Sequence, residues 1–153
     1  MAANKDPGAR SLDGFLCFMV YSTGLAFNRV YKPLLDRLGL TYSQFLVIMS
    51  LTQQDDQTVG SIGDGLFLES NTLTPLIKRL EAAGFVTRHR DPADERVVRV
   101  SLTPAGRKLA DEAACLPEKI LETTGMSPGE VEASRRSLAA VREKLRVGLS
   151  DKG

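Results

Sequence analysis

Residues 12–30, LDGFLCFMVYSTGLAFNRV, are apolar at Leu12, Phe15, Leu16, Met19, Val20, Leu25 and Phe27. The spacing of three and four is helical, yet the apolar positions run nearly all the way round. Such a helix has to be buried, and a chain of 153 residues has few places to bury it. A dimer interface is one way to cover it. No apolar run approaches the roughly 18 residues of a membrane span. The start, MAANKDPGARSLDG, lacks the basic and apolar regions of a signal peptide, so a cytoplasmic protein is expected.

The rest of the chain is punctuated by local signals. Tyr31-Lys-Pro33 interrupts the first helix, because proline brings no amide and restricts the residue before it, and residues 34–38 add a short turn before Gly39. Thr41 or Ser43 caps a second helix whose apolar face is Phe45, Leu46, Ile48, Met49 and Leu51. It ends in the polar stretch Gln53–Gln57. Thr58 then caps a short helix ending near Leu66. Ser70 or Asn71 caps the next, which runs to Ala83 with Leu73, Leu76, Ile77 and Leu80 inward. Pro75 falls in its early turns, and Gly84 signals its end. Residues 85–90 and 96–102 alternate as two strands around the turn Asp91–Asp94, giving a hairpin with an Arg-rich tip. Thr103-Pro104 opens a helix to about Glu122. A break at residues 125–129 precedes a last helix, 130–149.

Lys and Arg number 20 and Asp and Glu 19, a net charge of +1. Taken alone, that speaks against nucleic acid as a partner. The distribution reverses it: residues 53–77 carry no Lys or Arg, whereas residues 78–107 carry seven. Two short helices, a helix with a polar start and an Arg-rich hairpin form the order of a winged helix-turn-helix. A helix fits the major groove of duplex DNA and its polar side chains reach base edges. Ser70, Asn71, Thr72 and Thr74 stand at the start of that helix, suited to phosphates or bases. Lys78 and Arg79 follow as phosphate-neutralising cations. In the hairpin, Arg96 reaches for an adjacent minor groove with Asp94 holding it, flanked by Arg88, Arg90 and Arg99. His89, the only histidine, reads as a surface or phosphate-contacting residue, and Asp55-Asp56 as a solvated loop. Cys17 and Cys115, the only cysteines, have no metal-ligand spacing, and no cofactor or metal is expected.

The segments LCF (16–18), YKPLLDRLGLTYSQ (31–44), SNTLTPLIKRLEAAG (70–84) and DERVVRVSLTPAG (94–106) resemble the MarR family of winged-helix regulators. The resemblance spans about residues 12–148 and is greatest to the OhrR branch, repressors that sense organic hydroperoxides. It implies a mainly α fold with a β-hairpin wing, one domain over 1–153. Residues 12–38 and 104–149 would be dimerisation helices and 42–103 the winged helix-turn-helix. It implies a homodimer bound to a pseudo-palindromic operator of double-stranded DNA and released by oxidation. It places the sensing cysteine at Cys17, hydrogen-bonded by Tyr31 and Tyr42 of the partner subunit. Tyr21, one turn from Cys17, can also line that site. The chemistry is coherent: a hydroxyl donor and a helix N-terminus stabilise thiolate, and thiolate attacks peroxide to give sulfenic acid.

One departure concerns the second cysteine. Where two-cysteine members of this branch carry a resolving cysteine, this chain has Glu122, and Cys115 lies seven residues earlier. Either Cys115 is a core cysteine and a low-molecular-weight thiol completes the oxidised state, or Cys115 resolves Cys17 by another geometry. The first is favoured, because a disulfide needs close Cα atoms and aligned Cβ vectors. Two rivals stand beside the redox repressor. One is a repressor of the same fold released by a small phenolic or drug-like ligand. The other is a thiol peroxidase enzyme, for which no residue pattern speaks.

Overall fold

The computed structural model describes residues 11–151. The first ten residues, on which the expectation of a leaderless start mostly rests, lie outside the described residues. Packing divides the chain into two compact units, one ending at Leu116 and the other starting at Pro117.

The first unit opens with a 3₁₀ turn, Leu12–Gly14, and helix α1, Leu16–Asp36. α2 spans Tyr42–Gln53, strand β1 Gln57–Thr58, α3 Val59–Leu66 and α4 Ser70–Ala82. Strands β2, Val86–Arg90, and β3, Val98–Leu102, lead to α5, Pro104–Ala113. α2 is the central element and packs on α1, α3, α4, α5 and β3. Leu35, Val47, Ile48, Leu51, Ile62, Leu73, Ile77 and Leu80 are almost wholly shielded from solvent and form the core. The caps are local and strong. Thr41 and Gln44 form a capping box on α2, Thr58 caps α3 and Thr103 caps α5.

Four expectations change. α1 does not stop at Pro33 but runs through it to Asp36. Burial of Tyr31 and Leu35 on either side holds the helix despite the lost hydrogen bond. The helix expected from Pro104 to Glu122 is two helices, α5 and α6, Leu116–Thr124, because Pro117 has no amide to give Ala113. The hairpin is part of a three-stranded antiparallel sheet in the order β1-β3-β2. β1 has only two residues and leaves no alternation to read; its buried Gln57 is satisfied by Ser50 and Gln54 oxygens. Finally, neither Ser70 nor Asn71 caps α4: both are inside it, the N-cap is Glu69, and Pro75 is its sixth residue.

Gly84 ends α4 at φ +84°, a conformation that favours glycine. Gly106 has a different reason. A Cβ there would lie 2.0 Å from the Phe85 carbonyl oxygen, so only glycine lets α5 seat against the start of the hairpin.

The second unit holds α6 beyond its first residue and α7, Pro128–Ser150. Ser127 and Glu130 form a capping box on α7. Leu138, Leu145, Val147 and Leu149 of α7 are exposed in the single chain. So are Phe15, Leu16, Met19, Val20, Leu25, Phe27 and Val30 of the first segment, the same stretch whose hydropathy demanded cover. No helix among the described residues is long and apolar enough to cross a membrane.

Candidate nucleic-acid interface and thiol site

Ser70, Asn71 and Thr72 are the first three residues of α4 and all are exposed, with Thr74 half-buried a turn later. The carbonyl of Glu69 accepts from both the Thr72 and Leu73 amides at 3.0 Å, and no side chain caps the helix. α2, α3, α5 and α7 each carry a hydroxyl cap; α4 does not. Its first amides and its positive end therefore face outward with the short polar side chains, an arrangement that suits phosphate. Lys78 and Arg79 are exposed further along, and neither is ion-paired among the described residues.

The wing tip is ordered by carboxylates. Arg96 donates to Asp94 through Nε at 3.1 Å and Nη2 at 3.2 Å, while its side chain stays 91% exposed. The Asp94 carboxyl is held below its usual range, chiefly by that Arg96 bond. Arg96 is thus aimed into solvent with its rotamer already chosen. Arg90 donates to the Glu95 carbonyl at 2.6 Å. Arg88 is engaged inside the protein: its Nε and Nη2 donate to Glu81 Oε1 at 3.1 and 3.0 Å, and its backbone amide to Glu81 Oε2 at 2.8 Å. Glu81 is on α4 and Arg88 on β2, so this pair ties the helix to the wing. Between them lies a cavity of ≈ 350 Å³, lined by Thr58 and Gly60 at the start of α3, Ser70 and Thr74 of α4, and Arg88, Arg96 and Val98 of the wing.

Asp55 and Asp56 are not a solvated loop. Asp55 accepts the Leu102 amide at 2.9 Å and binds Arg107. The Asp56 carbonyl accepts from Arg99 Nη1 at 2.7 Å, and its Oδ1 lies 3.2 Å from His89 Nε2. Arg99 also donates to Asp91 at 2.5 Å, so it and His89 bind within the protein near the turn end of the hairpin. The contacts of Asp55 and Asp56 escape a linear reading because their partners lie more than 30 residues away along the chain.

Cys17 is the second residue of α1, a helix whose N-cap, Phe15, also makes no side-chain bond. Its thiol is exposed in the single chain, and Tyr21 stands exposed one turn on. Tyr31 and Tyr42 come together elsewhere, their ring centroids 4.9 Å apart and their planes tilted to each other and to the neighbouring Phe45. Tyr31 is 6% exposed. Burial, and then its neighbour Tyr42, push its phenol up to about 12; burial raises Tyr42 as well. Both hydroxyls therefore stay protonated at neutral pH and can donate. Within one chain these phenols are not brought to Cys17, since Tyr31 is at the other end of the same helix. Cys115 is exposed in the break between α5 and α6, with Sγ 3.8 Å from the Glu112 carbonyl. Among the described residues, no group of three or more His, Cys, Asp or Glu is placed to hold a metal.

A helical core closed by a three-stranded sheet, with an uncapped polar helix start beside an Arg-tipped hairpin, is a winged helix-turn-helix. A family model described as "Transcriptional regulator SarA/Rot" matches residues 29–113. The regulator TtmR of Methylorubrum extorquens is 47% identical over 136 residues, covering 89% of this chain and 70% of its own. The organic hydroperoxide resistance transcriptional regulator of Bacillus subtilis is 38% identical over 134 residues, covering 88% of this chain and 91% of its own. Reduced AbfR bound to DNA superposes with a TM-score of 0.75 at 33% identity, covering 90% of this chain and 94% of that one. The chain belongs to the MarR/SarA family of winged-helix transcriptional regulators.

Proposed function

We propose that this protein is a homodimeric, DNA-binding repressor that senses organic hydroperoxides through Cys17 and releases a pseudo-palindromic operator when that thiol is oxidised. It acts in the cytoplasm, where its DNA is. The observation that carries the reading is the position of Cys17. It sits in the first turn of an uncapped helix, on an apolar face that the chain leaves open. Phe15, Phe18 and Met19 around it favour an organic peroxide over a polar one. A relative 38% identical is named for organic hydroperoxide resistance, which supports the choice of oxidant.

In the dimer, a second copy covers the exposed apolar faces of α1 and of α7, and Tyr31 and Tyr42 of one subunit serve Cys17 of the other. The thiolate attacks the O–O bond; sulfur takes one oxygen as sulfenic acid and the alkoxide leaves, protonated to an alcohol. A low-molecular-weight thiol then condenses with the sulfenic acid, releasing water and leaving a mixed disulfide. Oxidation disrupts the bonds between Cys17 and the two phenols, and the dimer shifts to a state with different spacing of its two α4 helices. Half-sites lie about 34 Å apart, so a small change in spacing weakens both contacts together. Ser70, Asn71, Thr72 and Thr74 read or anchor the major groove, Lys78, Arg79 and Arg90 neutralise phosphate, and Arg96, held by Asp94, enters the minor groove; Arg88, bonded to Glu81, holds the wing to α4 instead.

The test is fluorescence anisotropy on a duplex the protein selects from a random pool, with and without cumene hydroperoxide. The wild type is expected to release the duplex and Cys17→Ser to keep it. Release by the Ser variant at the same peroxide dose contradicts the redox reading and favours a non-redox effector.

A further inference from the structure

Asp56 lies between α2 and β1 with φ +53°, a conformation that non-glycine residues adopt at a cost. Three different strand residues converge on it. Its carbonyl accepts from Arg99 Nη1 at 2.7 Å, its Oδ1 accepts from the Ser101 hydroxyl at 3.3 Å, and the same oxygen is 3.2 Å from His89 Nε2. His89 and Arg99 are register partners across β2 and β3, two basic side chains placed side by side. The Asp56 carboxylate sits where it meets both strands of the hairpin at once.

The contacts continue to the wing tip. Arg99 Nε donates to Asp91 Oδ2 at 2.5 Å, and Asp91 Oδ1 accepts the Ala93 amide at 2.8 Å. Ala93 begins the turn that presents Asp94 and Arg96. The Val97 amide closes that turn on the Asp94 carbonyl at 2.9 Å. Polar contacts therefore run from the end of α2 through the Asp56 side chain, which meets Ser101, His89 and, at 3.7 Å, Arg99 Nη1, and on through Arg99 and Asp91 to the turn that presents Arg96. Glu81 with Arg88 holds the other strand to α4.

We infer that Asp56 is the positioning residue of the wing: its carboxylate sets where Arg96 stands relative to α4 when both meet a duplex. It touches no DNA itself. The inference rests on the reading of the wing as a duplex contact, which Arg96→Ala alone tests.

The experiment uses the full chain and the selected duplex, with anisotropy measured over a salt series. Asp56→Gly removes the carboxylate while leaving the left-handed backbone and its carbonyl available. Asp56→Asn keeps an acceptor and tolerates the same backbone. Asp56→Gly is expected to bind about tenfold more weakly, with a salt slope shallower by about 1. Asp56→Asn is expected to recover most of that affinity, and Asp56→Gly combined with Arg96→Ala to be little worse than Arg96→Ala alone. Circular dichroism checks that the variants fold; if the Gly variant does not, the Asn variant is carried through the same cycle with Arg96→Ala. Wild-type affinity and slope in the foldable Asp56 variants, with Arg96→Ala impaired, overturn the inference but not the wing. Fully additive losses in the double variant overturn it too. An unimpaired Arg96→Ala instead removes the wing contact and the inference with it.

Discussion

Cys17 and Tyr31 lie on the same unbroken helix, fourteen residues apart. At 1.5 Å per residue, about 21 Å of helix axis separates them. A hydrogen bond between the two in one chain is excluded by that rise alone. The helix is unbroken between them, since its one proline, Pro33, lies beyond Tyr31.

The first consequence concerns mixed dimers. A Cys17→Ser subunit paired with a Tyr31→Phe/Tyr42→Phe subunit keeps one thiol from the second and intact phenols from the first. If the site forms across subunits, this heterodimer regains one reactive thiol per dimer, read by sulfenic-acid labelling. Reactivity no higher than in the Tyr31→Phe/Tyr42→Phe homodimer contradicts a shared site.

Arg96→Ala is expected to cost about 1–3 kcal/mol of duplex affinity and to make the salt dependence shallower. Asp94→Ala acts in the same direction but less, since Arg96 keeps its charge and loses only its fixed rotamer. Anisotropy over a salt series separates the two. A larger loss for Asp94→Ala than for Arg96→Ala contradicts this ranking.

Gly106→Ala tests the seating of α5. Its added methyl meets the Phe85 carbonyl, and overpacking of this kind costs about 1–3 kcal/mol. In a protein of this size that lowers Tm by roughly 2–4 °C per kcal/mol. An unchanged Tm in calorimetry means that α5 does not sit there.

The fourth expectation is a pH dependence. Glu81 is held below the usual carboxylate range chiefly by the Arg88 side-chain bond, and Asp91 chiefly by Arg99. A carboxyl whose folded pKa is depressed adds stability that is complete above its unfolded pKa. That stability is lost as pH falls through the folded value. Wild-type Tm should therefore fall more steeply than that of Glu81→Gln as pH drops below the ordinary carboxylate range. Parallel profiles contradict the pairing.

What the sequence shows and hides follows from range. Thr41, Thr58 and Thr103 were readable as caps because each bonds an amide three residues on. The order of helices and hairpin, and the pairing of Asp94 with Arg96, are equally local. Pro33 misleads because burial of its neighbours outweighs the hydrogen bond it removes. Asp55, Asp56 and Glu81 look like solvent-facing acids until the wing folds back onto them. The tyrosine pair is visible as residues, yet its burial and mutual contact needed the packing of α1 against α2.

The central claim is that oxidation of Cys17 is what releases DNA. The most direct measurement titrates duplex-bound protein with substoichiometric cumene hydroperoxide and reads two quantities from each sample. One is the fraction of duplex released, by anisotropy. The other is the fraction of Cys17 oxidised, by mass spectrometry with and without a small thiol. The expected result is release that rises in step with Cys17 oxidation, with a mixed disulfide on Cys17 when the thiol is present. Release while Cys17 remains a thiol, or complete oxidation of Cys17 to that mixed disulfide with the duplex still bound, contradicts it.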